Sequence, residues 1–184
     1  GKDGMPYRAD QSAGYSGAGF YQREAFHEKA RCKRILRTVI TDKDKEGVYI
    51  MTTLELQKMA NEVRKGIVTA VHSAKAGHPG GSLSAADVFT YLYFEEMNID
   101  PKNPKDPDRD RFVLSKGHTA PGYYSAMAHR GYFPVEDLVT LRHIGSHLQG
   151  HPCMQHIAGI DMSSGSLGQG ISAAVGMALA GKMD

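Results

Sequence analysis

The sequence has few cysteines, little net charge and no long hydrophobic run. Two cysteines, Cys32 and Cys153, are too few for a disulfide framework or a four-thiolate metal site, so a reducing, cytoplasmic location is expected. Lysine plus arginine number 22 against 20 acidic residues, a balance that argues against a nucleic-acid-binding surface. Without a run of about 18 apolar residues no membrane-spanning helix is expected, and the N-terminus lacks the apolar centre of a signal peptide.

The chain divides near Met51. Residues 1–50 lack sustained periodicity, and their first part is rich in Gly, Ser and Tyr, as turns and unstructured segments are. We expect residues 1–50 to be a disordered or non-native extension and residues 51–184 to form the folded part. The 184 residues suffice for one domain with a hydrophobic core and are too few for a two-domain enzyme.

From Thr52 onward the spacing of apolar residues predicts an α/β domain. Thr52 and Glu55 have capping-box spacing at the start of a helix that Gly77 ends. The apolar run 111–115 predicts a buried strand followed by a turn and a helix, which is the unit of α/β folds. A further helix is predicted to begin at Ser84. Three more are predicted to span about 123–129, 134–142 and 171–180. The last is crowded with Ala and Gly and is expected to pack its backbone close to a neighbour.

Three glycine-rich turns carry polar side chains. The first, residues 75–81, holds His78, whose imidazole is suited to donating to, or exchanging a proton with, a polar substrate. The second, residues 114–118, holds His118 at the carboxyl end of the predicted strand, where open α/β sheets bind ligands. The third combines His151 with the turn 165–170, whose backbone groups precede a helix and are suited to facing a cofactor. Taken singly, each turn is also consistent with ordinary turn chemistry or a solvated histidine.

Two other site types are disfavoured. His143, His147 and His151 are spaced four residues apart, like zinc ligands on one helical face, but glycines and Pro152 interrupt that helix and no carboxylate lies at a supporting interval. We therefore assign no metal ligand within the chain. No Gly-x-x-x-x-Gly-Lys-Ser/Thr loop occurs, and the glycine spacing at 165–170 does not match the dinucleotide fingerprint, which disfavours a nucleotide kinase.

Taken together, the turns resemble those of one family. From Met51 the chain is similar to the N-terminal, diphosphate-binding section of a transketolase, through a helix followed by Gly-His-Pro-Gly, then Leu-Ser-Lys-Gly-His, Gly-His-Pro and Gly-x-Leu-Gly-Gln-Gly. The start at Met51 and the wording Ser-Gly-Ser-Leu-Gly-Gln-Gly resemble the split form, in which two polypeptides supply the two halves of the enzyme. Deoxyxylulose-phosphate synthase, another thiamine-diphosphate enzyme, is the nearest alternative, but Leu-Ser-Lys-Gly-His favours transketolase.

The resemblance implies the thiamine-diphosphate-binding α/β fold, a parallel sheet flanked by helices, truncated here at its C-terminal side. It implies transfer of a two-carbon ketol unit between sugar phosphates, as in the pentose phosphate pathway, with thiamine diphosphate as the cofactor. His78 would contact the sugar substrate and help to move protons, and His151 would reach the donor's terminal hydroxyl. His118 would hydrogen-bond the diphosphate of the cofactor.

The resemblance assigns the turn 165–167 to the cofactor as well. Gly165, Ser166 and Leu167 would line it, and a residue larger than Gly165 would obstruct its ring system. Ser166 stands where many one-chain transketolases have a proline.

The resemblance also implies Mg²⁺ and a partner. The family's metal ligands come from a Gly-Asp-Gly motif and a downstream Asn, and neither precedes Asp184. Because Mg²⁺ prefers octahedral oxygen ligation, we expect its ligands beyond Asp184 and expect this chain alone to be inactive. A C-terminal pyrimidine-binding subunit or domain would complete the enzyme, as a homodimer or heterotetramer. The alternative is a non-catalytic fragment or interaction module with a transketolase scaffold.

Overall fold

The computed structural model describes residues 51–183, so the prediction for residues 1–50 lies outside the described residues. Between 51 and 183 the chain forms helices joined by turns and irregular segments. The α-helices are α1 (Thr53–Ala74), α2 (Pro79–Ser84), α3 (Ala86–Tyr91), α4 (Ala120–Arg130) and α5 (Gln169–Ala180), with a π-helical segment at Leu92–Glu96 and 3₁₀ segments at Gly117–Thr119 and Val135–Thr140. No helix in this range is long and apolar enough to cross a membrane.

The capping box at the start of α1 is confirmed. The hydroxyl of Thr52 accepts a hydrogen bond from the backbone N–H of Glu55 at 3.3 Å, and the Glu55 carboxylate accepts from the backbone N–H of Thr52 at 2.8 Å. The helix ends at Ala74, slightly before the predicted end, because Lys75 takes the left-handed conformation with φ 49°. Gly77 follows at φ +149°, and the chain reverses there.

Helix α4 is the centre of the core. Every residue from 120 to 128 is buried, so α4 is surrounded rather than amphipathic. It lies against α1, where the Ser125 hydroxyl donates to the carbonyl of Val63 at 2.9 Å. Gly66 on α1 faces the Ser125 side chain so closely that any Cβ would collide with it. The Ser125 side chain of α4 therefore packs directly on the backbone of α1. These contacts fix the position of α4, which follows the second glycine-rich turn in the chain.

An aromatic cluster anchors the segment that leads into that turn. The ring of Phe112 lies 5.1 Å from Tyr123 and 6.0 Å from Tyr93, centroid to centroid. Such offset and edge-to-face pairs add to the free energy of burial. Burial raises the pKa of both tyrosine hydroxyls, Tyr93 and Tyr123, so they remain neutral. Phe112 is thereby fixed three residues before Ser115, where the second glycine-rich turn begins.

Three predicted elements differ in the structure. The helix predicted to begin at Ser84 is α3, which begins at Ala86, and the short helix α2 before it was not predicted, although proline suits the first turn of a helix. The helix predicted at 134–142 is a 3₁₀ segment, Val135–Thr140. The predicted strand at 111–115 is absent, since this stretch is irregular and no strand occurs between residues 51 and 183. A strand requires a hydrogen-bonded neighbour, and the described residues offer none. The parallel sheet therefore stays a prediction.

The prediction that the last helix packs its backbone against a neighbour is confirmed in the first turn of α5 and stays a prediction for the rest of the helix. Gly170 is buried, and a Cβ there would lie 2.7 Å from the Cα of Ser115. Among the described residues no atom lies within 4 Å of a Cβ at Gly176. The apolar side chains of Ile171, Val175 and Leu179 are more than half exposed, because the described residues supply a neighbour for the start of the helix alone.

Candidate active site

The first turn places His78 at the start of α2. The left-handed Lys75 and the positive φ of Gly77 reverse the chain, and Pro79 begins the helix directly after the histidine. His78 is exposed, and its ring lies 4.9 Å from that of His118, with an interplanar angle of 75°. The edge-to-face arrangement brings the two imidazoles to one place on the surface, with His78 exposed and His118 partly exposed.

The second turn is held tightly from within. The buried hydroxyl of Thr119 donates to the carbonyl of Lys116 at 2.9 Å, which closes the 3₁₀ turn around His118. The Lys116 ammonium donates to the carbonyl of Gly81 at 3.4 Å. A Cβ on Gly81 would lie 2.7 Å from the Thr119 methyl group, so only glycine lets the first and second turns approach this closely.

The third turn joins two distant segments. The backbone N–H of Ser164 donates to the carbonyl of Pro152 at 3.2 Å, and the Tyr124 hydroxyl donates to the carbonyl of His151 at 2.9 Å. A Cβ on Gly165 would lie 3.6 Å from the His151 ring, an ordinary van der Waals distance. The protein itself therefore has room for a side chain at position 165, and any obstruction there would be felt by a ligand.

The second and third turns are in direct contact. A Cβ on Gly117 would lie 2.9 Å from the backbone carbon and oxygen of Ser164. Within the third turn, Gly168 adopts φ +84° and donates its N–H to the carbonyl of Ser115 at 3.4 Å. Ser166 and Leu167 lie between these contacts and are exposed, Leu167 by 69%. The structure thus brings the three predicted turns together and leaves the 165–167 segment open.

The site is basic. Partial burial, together with the electrostatic effect of His78, Lys116 and His151, lowers the pKa of His118. Lys116 carries a positive charge and the imidazoles offer N–H donors, so an anion placed among them would be attracted and would favour the protonated form of His118. The arrangement suits a phosphate or diphosphate group, with imidazole and ammonium N–H groups as donors.

Zinc binding by the spaced histidines finds no support. Between residues 51 and 183 no group of three His, Cys, Asp or Glu side chains could hold a metal ion. His147 lies 3.7 Å from the Asp137 carboxylate and against the ring of Phe133, while His151 belongs to the third turn. His143 follows the 3₁₀ segment in an irregular stretch, so no helical face aligns the three imidazoles.

Comparison with known proteins decides the family. Residues 55–184 match the family described as transketolase, thiamine diphosphate binding domain. The chain belongs to the transketolase family. It is 53% identical over 131 residues to the 6-deoxy-6-sulfo-D-fructose transketolase subunit SqwG of Clostridium sp. (strain MSTE9), covering 71% of this chain and 48% of that protein. It is 48% identical over 132 residues to an apulose-4-phosphate transketolase subunit from Phocaeicola vulgatus, covering 72% and 46%.

Solved transketolases share the fold. A Pichia stipitis transketolase in complex with sedoheptulose-7-phosphate is 42% identical, with a TM-score of 0.65, over 68% of this chain and 18% of that one. A Leishmania mexicana transketolase gives a TM-score of 0.66 at 35% identity, covering 72% and 19%. The chain spans about half the length of the subunit relatives and about a fifth of these longer enzymes. The likeness confirms the thiamine-diphosphate-binding fold family.

Sequence reasoning missed the residues that hold the turns together. The contact between Gly117 and Ser164 joins residues far apart in the chain, and no local pattern pairs them. Asp161 was also missed, although its carboxylate accepts hydrogen bonds from Arg109 and from the backbone of Phe112. An isolated acidic residue between Ile160 and Met162 was the available signal, since a carboxylate in an apolar setting needs donors.

Proposed function

We propose that the chain is the N-terminal, thiamine-diphosphate-binding part of a transketolase that transfers a two-carbon ketol unit from a ketose phosphate to an aldose phosphate. The observation that carries this proposal is the convergence of three glycine-rich turns on His78 and His118, whose rings lie 4.9 Å apart in a basic setting. A basic, exposed site of this kind suits an anionic cofactor and a phosphorylated sugar.

The described residues fit the diphosphate of the cofactor. His118 and Lys116 supply donors, and Gly165, where a Cβ would meet no atom of the described residues closer than 3.6 Å, lets a ligand approach the backbone. We propose that His118 donates to the diphosphate and that Gly165, Ser166 and Leu167 line the cofactor, with the start of α5 adding amide dipoles. When bound, thiamine diphosphate supplies the carbanion-stabilising chemistry of the transfer.

The two remaining histidines would act on the sugar. His78 is exposed at the start of α2, and we propose that it binds the substrate and moves a proton at one of its oxygen atoms. His151 is exposed beside Gly165, with its backbone carbonyl fixed by Tyr124, and we propose that it hydrogen-bonds the terminal hydroxyl of the donor. Deleting His78 should therefore reduce kcat, whereas deleting His118 should weaken cofactor binding.

Among residues 51–183 no group of three His, Cys, Asp or Glu side chains could hold a metal ion. Mg²⁺ requires oxygen ligands in octahedral geometry. We propose that its protein ligands come from outside this range, next to the diphosphate. The described residues would then bind the anion, and the metal ligands would complete the site.

A C-terminal pyrimidine-binding subunit or domain would complete the enzyme. The relatives named as transketolase subunits support the proposal that this chain works with a pyrimidine-binding partner, in a homodimer or heterotetramer. Pentose-phosphate metabolism and a cytoplasmic location stay predictions.

We propose that residues 111–115 form a strand of a parallel sheet when the rest of the domain is present. A groove of about 580 Å³ runs beside this segment, with Phe89, Leu114 and Ile171 among its lining residues. The groove lies next to a segment that has no neighbouring strand among the described residues, and the rest of an α/β sheet would supply one.

Complementation tests the proposed function. Thiamine diphosphate and Mg²⁺ are titrated by calorimetry into the protein with and without its partner polypeptide, and ketol transfer is measured from a ketose phosphate. We expect activity with the partner, loss of kcat in His78→Ala, and weaker cofactor binding in His118→Ala. His143→Ala, which removes a histidine outside the three turns, is the matched control and should behave as wild type. Ketol transfer by the chain alone, or none with the partner, would contradict the proposal.

A further inference from the structure

The carboxylate of Asp161 lies at the base of the second and third turns. It accepts hydrogen bonds from the backbone N–H of Phe112 at 2.8 Å and from the Arg109 guanidinium, whose Nη1 lies at 3.1 Å and whose Nη2 contacts the other oxygen. Arg111 approaches at 3.5 Å. Arg109 is itself held, because its Nε donates to the carbonyl of Pro104 at 2.8 Å. Both carboxylate oxygens therefore accept hydrogen bonds.

This cluster is buried. The side chains of Arg109 and Asp161 are 7% and 5% exposed. A buried ion pair is weak evidence for stability, because desolvation of both charges offsets their attraction. What a fully hydrogen-bonded, bidentate pair does supply is a fixed geometry, since the planar fork of arginine admits one orientation of the carboxylate.

The cluster joins the two segments a few residues before each turn. Asp161 lies three residues before Ser164, and Phe112 lies three residues before Ser115. Higher up, the turns meet through van der Waals contact at Gly117 and through the 3.4 Å hydrogen bond from Gly168 to Ser115. The buried hydroxyls of Ser115 and Ser164 have no hydrogen-bond partner among the described residues, so they add nothing to this upper junction.

We propose that Asp161 is a positioning residue that sets the spacing between the second turn, which holds His118, and the third turn at 165–170. Its carboxylate fixes the residues that precede both turns. The weaker contacts of Gly117 with Ser164 and of Gly168 with Ser115 then follow from that spacing. This inference rests on the proposed function in so far as the two turns hold the cofactor. The hydrogen bonds of Asp161 with Arg109 and Phe112 form within the chain without any ligand. Their effect can therefore be measured independently of cofactor binding.

The experiment compares amide hydrogen exchange and cofactor binding in the complete protein as it is isolated. In Asp161→Asn, we expect the amides of Ser164 and Gly168 to exchange about tenfold faster, the effect of losing one charged hydrogen bond. Thiamine diphosphate binding should weaken by a similar factor, while kcat at saturating cofactor changes little. Arg109→Lys keeps the charge and loses the fork, so it should give a smaller change in the same direction.

Leu138→Ala is the control for general destabilisation. Leu138 is buried against α1 near Gly66, outside both turns, and its truncation should speed exchange in the helices without weakening cofactor binding. The proposal is overturned when Asp161→Asn speeds the Ser164 and Gly168 amides no more than those of α4, or leaves them unchanged. Absence of cofactor binding in the wild type would refute the proposed function, and the exchange measurement would still decide the role of Asp161.

Discussion

Replacing Gly117 with alanine tests whether contact between the second and third turns controls cofactor binding. Gly117 has no positive φ, so alanine introduces no backbone strain and the substitution acts through its Cβ alone. That Cβ would lie 2.9 Å from the backbone carbon, the backbone oxygen and the hydroxyl of Ser164. Two of these atoms belong to the main chain and cannot rotate away. Ser164 and the third turn that follows it must therefore move by about half an ångström to reach ordinary van der Waals distance.

The magnitude follows from this overlap. Inserting a methyl group into a packed contact costs about 1–3 kcal/mol, and each 1.4 kcal/mol is about a factor of ten in affinity. We expect Gly117→Ala to weaken thiamine diphosphate binding by about tenfold or more. A loss of that size in stability would lower the Tm by roughly 2–4 °C per kcal/mol.

Calorimetric titration of thiamine diphosphate and Mg²⁺ into the complete protein is the assay. Gly176→Ala is the matched control, because no atom between residues 51 and 183 lies within 4 Å of its Cβ and alanine favours the helix. Adding Ser164→Gly to Gly117→Ala should restore little, since the two backbone overlaps remain. Wild-type cofactor affinity in Gly117→Ala would refute the idea that this contact positions the turn.

Three further predictions concern the cap, the histidine and the third turn. Thr52→Ala removes the capping box and should cost about 1 kcal/mol in thermal unfolding without changing cofactor affinity. Because the pKa of His118 is lowered on folding, the unfolded chain binds more protons below about pH 6.5. Stability should therefore rise with pH up to that value, with a smaller rise in His118→Gln or with inorganic pyrophosphate bound; an unchanged slope would contradict this. Gly165→Ala should keep the wild-type Tm, since its Cβ has room, but weaken cofactor binding about tenfold; equal binding would exclude the turn from the site.

The start of α1 and the position of α4 could be predicted from residues close together in the sequence. The capping box of Thr52 and Glu55 is present because it needs residues three positions apart. The helix Ala120–Arg130 lies where apolar spacing and the preceding turn indicated it. Helix α2 was not predicted, because Pro79 was treated only as part of the first glycine-rich turn although proline also suits a first helical turn.

The family and the three turns could be predicted from the order of residues, because glycine, histidine and proline at fixed positions specify local backbone shape and chemistry. How the turns meet depends on tertiary packing. The contact of Gly117 with Ser164 and the hydrogen bonds of Asp161 join segments about fifty residues apart, and these depend on how the aromatic cluster and α4 place Phe112. The predicted strand at 111–115 shows the same limit, because a strand exists through its hydrogen-bonded neighbour and an apolar run alone does not supply one.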